Sequence, residues 1–159
     1  MKIQMATIGL IVALGAPAYA SSPSSFVDEA IKGDNSEIAL GKLAQKQAAS
    51  QGVRDFGATL VTDHTKARQE MVAAGKSLGV TPSDAMTPDG KEAYDMLAGK
   101  SGKDFDTAFV SHMVDDHKKD IAKFEEEAKA NDAKASSLAK QQLPTLKKHL
   151  ATAQSLQRK

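Results

Sequence analysis

Cysteine and tryptophan are absent from the 159-residue sequence, and aromatic residues are few, with five phenylalanines and two tyrosines. The lack of cysteine excludes disulfides and the attachment of a lipid to an N-terminal cysteine. A domain of this length can be stabilised by its hydrophobic core alone, so the sequence remains compatible with an oxidising compartment. Because the aromatic residues do not alternate with basic clusters, the usual platforms for stacking nucleic-acid bases are missing.

Long apolar runs are also scarce, and the one at residues 8–16 lies near the N-terminus. It follows the basic residue Lys2, is too short to span a bilayer, and precedes the small-x-small sequence Ala18–Ala20. This order predicts a signal peptide over residues 1–20 and export across the inner membrane to the periplasm, with or without association with the outer membrane. A buried N-terminal helix is the alternative interpretation, and it fits the small residues before the cleavage position less well.

Charges of the two signs are nearly balanced, with 21 Lys and Arg against 20 Asp and Glu. Cleavage after Ala20 would remove Lys2 and no acidic residue, which leaves a mature protein of zero net charge. A balanced surface argues against nucleic acid or an acidic lipid surface as the partner. After cleavage, no long apolar run remains that would predict a transmembrane segment. The sequence identifies neither a protein partner nor an oligomeric state.

The mature sequence is rich in Ala, Lys, Glu, Gln and Leu and lacks alternating β-branched runs, which predicts an all-α fold. Residues 21–25 form a polar leader that we expect to be flexible, and residues 26–157 form one domain. Apolar residues repeat at intervals of three and four along four long segments and one short segment. The predicted helices cover residues 25–49, 53–78, 89–98, 103–130 and 133–156.

Loop lengths predict how these helices are arranged. Short breaks separate the first two helices and the last two, so each pair is expected to form an antiparallel hairpin. A long connection that carries the short helix joins the pairs, which predicts a ferritin-like up-down four-helix bundle with one long crossover. Gly79 is the predicted C-cap of the second helix, Asp132 is a candidate N-cap of the last, and Pro144 is expected to bend that helix.

Three of the four histidines fall on the apolar faces of three different helices. Counting residues from the hairpin turns puts Glu37 level with His64, and His117 level with His149. We therefore expect these four side chains to converge on one layer of the bundle, with one residue from each long helix. His112 lies at the edge of its apolar face and is expected to be peripheral.

The four converging side chains are candidate metal ligands, because imidazole and carboxylate suit zinc, copper and iron. Asp63, Asp116 and Asp120 are candidate acceptors for hydrogen bonds from the ligands. The alternative is a metal-free polar layer that fixes the register of the helices, or one that senses pH through its imidazoles.

Several blocks of the sequence resemble one bacterial family. These blocks are Ser36–Ala44, Val53–Gly57, Val61–Ala67, Phe105–Asp106, His117–Lys119 and Leu143–Leu146. The family is domain of unknown function 4142, whose members are exported, are placed with ferritin-like folds and are often described as outer-membrane proteins. The resemblance extends from Phe26 to about Ala153, implies the fold, and carries over Glu37, His64, His117 and His149 as recurrent polar positions.

The broader ferritin-like group holds di-iron centres with Glu-x-x-His pairs. Val61, Val114 and Leu146 occupy the positions where a glutamate would precede the three histidines, so the di-iron motif is missing. A periplasmic transition-metal-binding protein is the first functional hypothesis, and a non-catalytic module for envelope stress or interaction is the second. An enzyme is the third hypothesis, and it requires an open coordination position beside a pocket. No nucleophile motif or phosphate loop supports it.

Overall fold

The computed structural model describes residues 22–158, so the predicted signal peptide at residues 1–20 lies outside the described part of the chain. These residues form five α-helices and no β-strand, which confirms the predicted all-α fold. No helix within residues 22–158 combines the length and the mean hydropathy that crossing a membrane requires. The helices are α1 Pro23–Gln47, α2 Gln51–Gly75, α3 Pro88–Ala98, α4 Gly102–Glu127 and α5 Ala133–Gln157.

Helices α1 and α2 form an antiparallel hairpin whose backbones come very close at its middle. A Cβ atom added to Gly57 would lie 2.7 Å from the carbonyl oxygen of Gly41, and one added to Gly41 would lie 2.6 Å from the carbonyl oxygen of Gly57. Helices α4 and α5 form the second hairpin. The glycine pair allows α1 and α2 to approach closely enough for their side chains to meet across the hairpin.

The two hairpins pack side by side to complete a four-helix bundle. The ring centroids of Phe26 on α1 and Phe124 on α4 are 5.0 Å apart. On the other side, the amide of Gln142 on α5 donates a hydrogen bond of 2.7 Å to Glu70 on α2. Each long helix is therefore antiparallel to both of its neighbours, and α2 and α4 run in the same direction.

Because α2 and α4 are parallel, the crossover between them must return along the length of the bundle. Helix α2 ends at Gly75, three residues before the predicted end, and its C-cap is Lys76. The crossover then begins with a 3-10 turn over Lys76–Leu78, and Gly79, whose φ of 72° lies in the left-handed region, is the C-cap of that turn and not of α2 as predicted. The Asn35 side chain on α1 donates to the carbonyl oxygens of Ser83 and Ala85 at 2.8 and 2.9 Å. The crossover with its short helix is thus observed as predicted, and it is fastened along α1.

The predicted leader is wrong for its last three residues, since α1 begins at Pro23. Ser22 is the N-cap of this helix, and its hydroxyl accepts from the backbone N–H of Ser25 at 3.1 Å. Proline suits the first helical position because its missing N–H would have no partner there. The Asp132 N-cap is confirmed, because its carboxylate accepts from Lys134 and Ala135. Helix α5 continues through Pro144, and the expected bend there stays a prediction.

Two apolar clusters fill the bundle, one toward each end. The larger lies near the turn between α1 and α2 and includes Leu40, Phe56 and Phe109. The smaller lies at the opposite end and includes Val27 and Met71. Between the two clusters lies a layer of buried polar side chains, in which the candidate ligands are found.

Gly57→Ala is expected to reduce the free energy of unfolding by about 1–3 kcal/mol, because the added methyl group meets backbone and forces α1 and α2 apart. Gly33→Ala is the matched control on α1, where an added Cβ has no neighbour within 4 Å. That control should stabilise by about 0.5–1 kcal/mol, since alanine loses less backbone entropy in a helix. Urea denaturation gives the free energy of unfolding of the wild type and of both variants. Equal values for the three proteins would contradict the close approach of α1 and α2.

Candidate metal centre

Five titratable side chains lie between the apolar clusters, and each is less than 10% exposed. Such groups are costly to bury unless they are neutral, hydrogen-bonded or bound to a cation. Their hydrogen bonds therefore decide what the layer can do. The five are Asp34 and Glu37 on α1, His64 on α2, His117 on α4 and His149 on α5.

The imidazole of His117 is fixed by its own helix. Its Nδ1 lies 3.0 Å from the carbonyl oxygen of Met113, one turn earlier on α4. A carbonyl only accepts hydrogen bonds, so Nδ1 carries the proton. In the neutral ring, Nε2 then presents a lone pair to the interior of the bundle.

The imidazole of His149 is oriented in the opposite sense. Its Nε2 lies 2.9 Å from a carboxylate oxygen of Asp63 on α2, to which it donates. The lone pair of the neutral ring is therefore on Nδ1. That atom faces Nε2 of His117 at 3.4 Å, so that two hydrogen-bond acceptors are directed at each other.

The imidazole of His64 supplies a third nitrogen. Its Nδ1 lies 2.8 Å from a carboxyl oxygen of Asp34, which precedes Glu37 by three residues on α1. Its Nε2 is buried and has no hydrogen-bond partner among the described residues. Burial raises the pKa of Asp34 well above its usual value, so the carbonyl oxygen of a neutral carboxyl group accepts from Nδ1–H. The Nε2 of His64 then presents its lone pair to the same space as the other two rings.

One nitrogen from each of His64, His117 and His149 lies within 4.8 Å of the other two. Two nitrogens bound to one tetrahedral zinc ion at 2.0–2.1 Å are about 3.4 Å apart. The observed 3.4 Å between His117 and His149 equals that separation. In each ring, the other nitrogen is hydrogen-bonded to an oxygen acceptor. Metal sites in proteins orient their histidine ligands in the same way. We call these three residues the histidine triad.

Glu37 lies beside the histidine triad without a hydrogen bond of its own. Both of its carboxyl oxygens are buried and have no partner among the described residues. One of them is 4.0 Å from Nε2 of His64. Glu37 also forms a second close group with Asp116 and His117, in which one ligand atom from each lies within 4.8 Å of the others.

Burial shifts the titration of the whole layer toward the uncharged forms. It lowers the pKa of His64 to about 4 and, together with the neighbouring His64 and His149, that of His117 to about 3. Burial also raises the pKa of Glu37 well above its usual value, and the nearby Asp116 raises it further. The imidazoles are therefore neutral at neutral pH and can act as ligands. An ionised Glu37 is costly in this layer unless a bound cation offsets its charge.

The structure brings all four predicted ligands into this layer, and Asp63 accepts from the candidate ligand His149 as predicted. Neither Asp116 nor Asp120 accepts from a histidine among the described residues; the Asp116 carboxylate lies instead with Glu37 and His117 in the second group of candidate ligand atoms. Burial raises the pKa of Asp120 to about 7 at the edge of the layer. His112 is half-buried and lies outside the histidine triad, as expected.

Asp34 is the residue that the sequence did not single out. It follows Val27 and Ile31 on the buried face of α1, at the same spacing of four and three residues. The 4-3 spacing of the buried positions was a usable signal, but an aspartate does not read as a core residue.

Comparison with known proteins places the chain in a family. Residues 12–156 match the family described as Domain of unknown function (DUF4142). The chain belongs to this family. No curated protein matches it.

A solved structure shares the fold. It is the crystal structure of a DUF305 fragment from Deinococcus radiodurans, with a TM-score of 0.75 and 16% sequence identity. The match covers 88% of this chain and 99% of that one. At this identity the likeness supports the helical bundle and carries no information about the buried layer.

Metal-free protein should lose stability on acidification through His117. Its native pKa of about 3 lies below the ordinary value of 6.5, so the unfolded chain takes up the proton first. Stability from this group is therefore complete above pH 6.5 and falls by about 1.4 kcal/mol per pH unit below it, until the native pKa is reached. His117→Gln lacks this slope but keeps a donor for Met113. The free energy of unfolding of the wild type and of His117→Gln, measured in EDTA from pH 7 to 4.5, tests this prediction. Parallel pH profiles for the two proteins would contradict a buried neutral imidazole at His117.

Proposed function

We propose that this protein binds one transition-metal ion through the histidine triad, with Glu37 as an additional ligand. The observation that carries the proposal is the pair of lone pairs facing each other at 3.4 Å on His117 Nε2 and His149 Nδ1. Each ring uses its other nitrogen as a donor to a fixed oxygen. Two buried acceptors in that arrangement are repulsive unless a proton or a cation lies between them.

The donor set suits borderline cations. Three neutral imidazoles and one carboxylate match zinc, copper(II) or iron(II), and the absence of cysteine removes the thiolates that favour softer ions. A bound cation would also offset the cost of burying Glu37, whose oxygens have no other partner among the described residues. A site of this kind would serve sequestration, delivery or protection.

The alternative function is a metal-free polar layer in an envelope stress or interaction module. A proton shared between His117 and His149 would then replace the cation, and the layer would fix the register of the helices. Metal titration separates the two functions, since a structural layer gains no stability from added ions.

His149→Gln should weaken Zn²⁺ and Co²⁺ binding at least about a hundredfold, more than the loss of a residue that only orients a ligand. The wild-type protein should bind one ion per chain, and its melting temperature should rise with ion concentration. Lys148→Gln alters the exposed neighbouring residue on α5 and should bind as the wild type does. Calorimetric titration measures all three; no heat and no thermal shift in the wild type would overturn the metal proposal.

We also propose that the chain is exported to the periplasm, on the evidence of its N-terminal sequence. Full-length protein expressed in a Gram-negative host should be released by osmotic shock with Ser21 as its first residue, since Ala18 and Ala20 satisfy the cleavage site. Mass spectrometry of the released chain measures this. Ala18→Lys should retain the uncleaved precursor, and a cytoplasmic wild-type chain that still begins at Met1 would contradict export.

A further inference from the structure

A polar cleft leads from the surface to Glu37 between α1, α4 and the start of α3. Its volume is about 150 Å³, and its walls include the acidic residues Glu37, Asp116 and Asp120 together with the basic residues His112, Lys119 and Lys123. Its rim is held by the crossover, because the Thr87 backbone N–H donates to the Ser36 hydroxyl at 3.1 Å. The cleft is thus a fixed opening that reaches the buried carboxyl group of Glu37.

An adjoining opening has a more apolar lining. It is smaller, about 70 Å³, and reaches His64 past Phe26, Phe124 and Leu146, with Asp34, Asp120 and Lys123 also in its walls. A hydrated cation loses its water ligands more readily where oxygen donors replace them than along an apolar wall. The polar cleft is therefore the route that the chemistry of the walls favours.

The two close groups of ligand atoms have His117 in common. One is the histidine triad, and the other is Glu37, Asp116 and His117, which we call the carboxylate triad. Glu37 also reaches toward His64, with 4.0 Å between the nearest atoms. Asp116 is therefore the one member of the carboxylate triad that is connected to the inner rings through His117 alone. Because His117 has one free nitrogen, it cannot bind an ion in each triad at the same time.

We infer that the carboxylate triad is an entry position for the metal ion, from which the ion passes to the histidine triad while His117 and Glu37 keep hold of it. The inference rests on the proposed metal binding. It is supported by the shared histidine and by the position of Asp116 in the cleft. It is also supported by Glu37, which is 2% exposed and whose two carboxyl oxygens lack a hydrogen-bond partner among the described residues. The ligand class is a divalent transition-metal cation.

An entry position changes rates and leaves the equilibrium unchanged. Asp116→Asn should slow Co²⁺ association by about tenfold and slow its dissociation by the same factor, because the ion leaves by the path it entered. The dissociation constant should then stay within about twofold of the wild type. Stopped-flow absorbance of Co²⁺ uptake, followed by release into excess EDTA, gives both rates.

Asp115→Asn is the matched control, since Asp115 is the exposed neighbour of Asp116 on α4 and loses the same charge. It should leave both rates at the wild-type value. Unchanged rates in Asp116→Asn would overturn the inference, and so would faster dissociation with weaker binding, because Asp116 would then hold the resting ion. A wild-type protein that takes up no Co²⁺ would overturn the proposed function as well, which distinguishes the two failures.

Discussion

The burial of five titratable side chains between two apolar clusters is the constraint on which the rest of the structure depends. Desolvation makes each charged form costly there, so the layer holds neutral imidazoles and, without a cation, the protonated carboxyl groups of Asp34 and Glu37. Oxygen acceptors then fix which nitrogen of each ring points inward. The Met113 carbonyl and the Asp63 carboxylate do so for His117 and His149. The inward lone pairs are a consequence of this arrangement, and metal binding is the function that they support.

The crossover makes one edge of the bundle different from the others. By returning along α1, it places α3 against the polar layer, where a cleft reaches Glu37. The walls of this cleft carry Asp116 and Asp120 beside Lys119 and Lys123. The adjoining pocket that reaches His64 shares part of this lining and adds Phe26, Phe124 and Leu146. The long connection therefore shapes the surroundings of the polar layer, in addition to joining the hairpins.

Similarity of fold does not transfer chemistry to this chain. The DUF305 fragment shares the bundle at 16% identity, which leaves the identity of buried polar residues unconstrained. The ferritin-like description is likewise a prediction about connectivity, and the Glu-x-x-His pairs of di-iron proteins are missing from the sequence. The proposed metal binding depends on the donor atoms of this chain alone, on their separation and on the hydrogen bond that fixes each ring.

The sequence by itself determined the helices, the N-cap at Asp132, and the convergence of Glu37 with three histidines, because spacing along a helix fixes which face is buried and how far down it lies. It did not reveal Asp34, since an aspartate on a face of mixed composition does not mark the core, or which nitrogen of each ring is free. Those features depend on the rotation of each helix and on the partners that neighbouring helices supply. Only tertiary packing sets them, because a change of one residue in helix phase or one hydrogen bond decides whether an imidazole presents a proton or a lone pair.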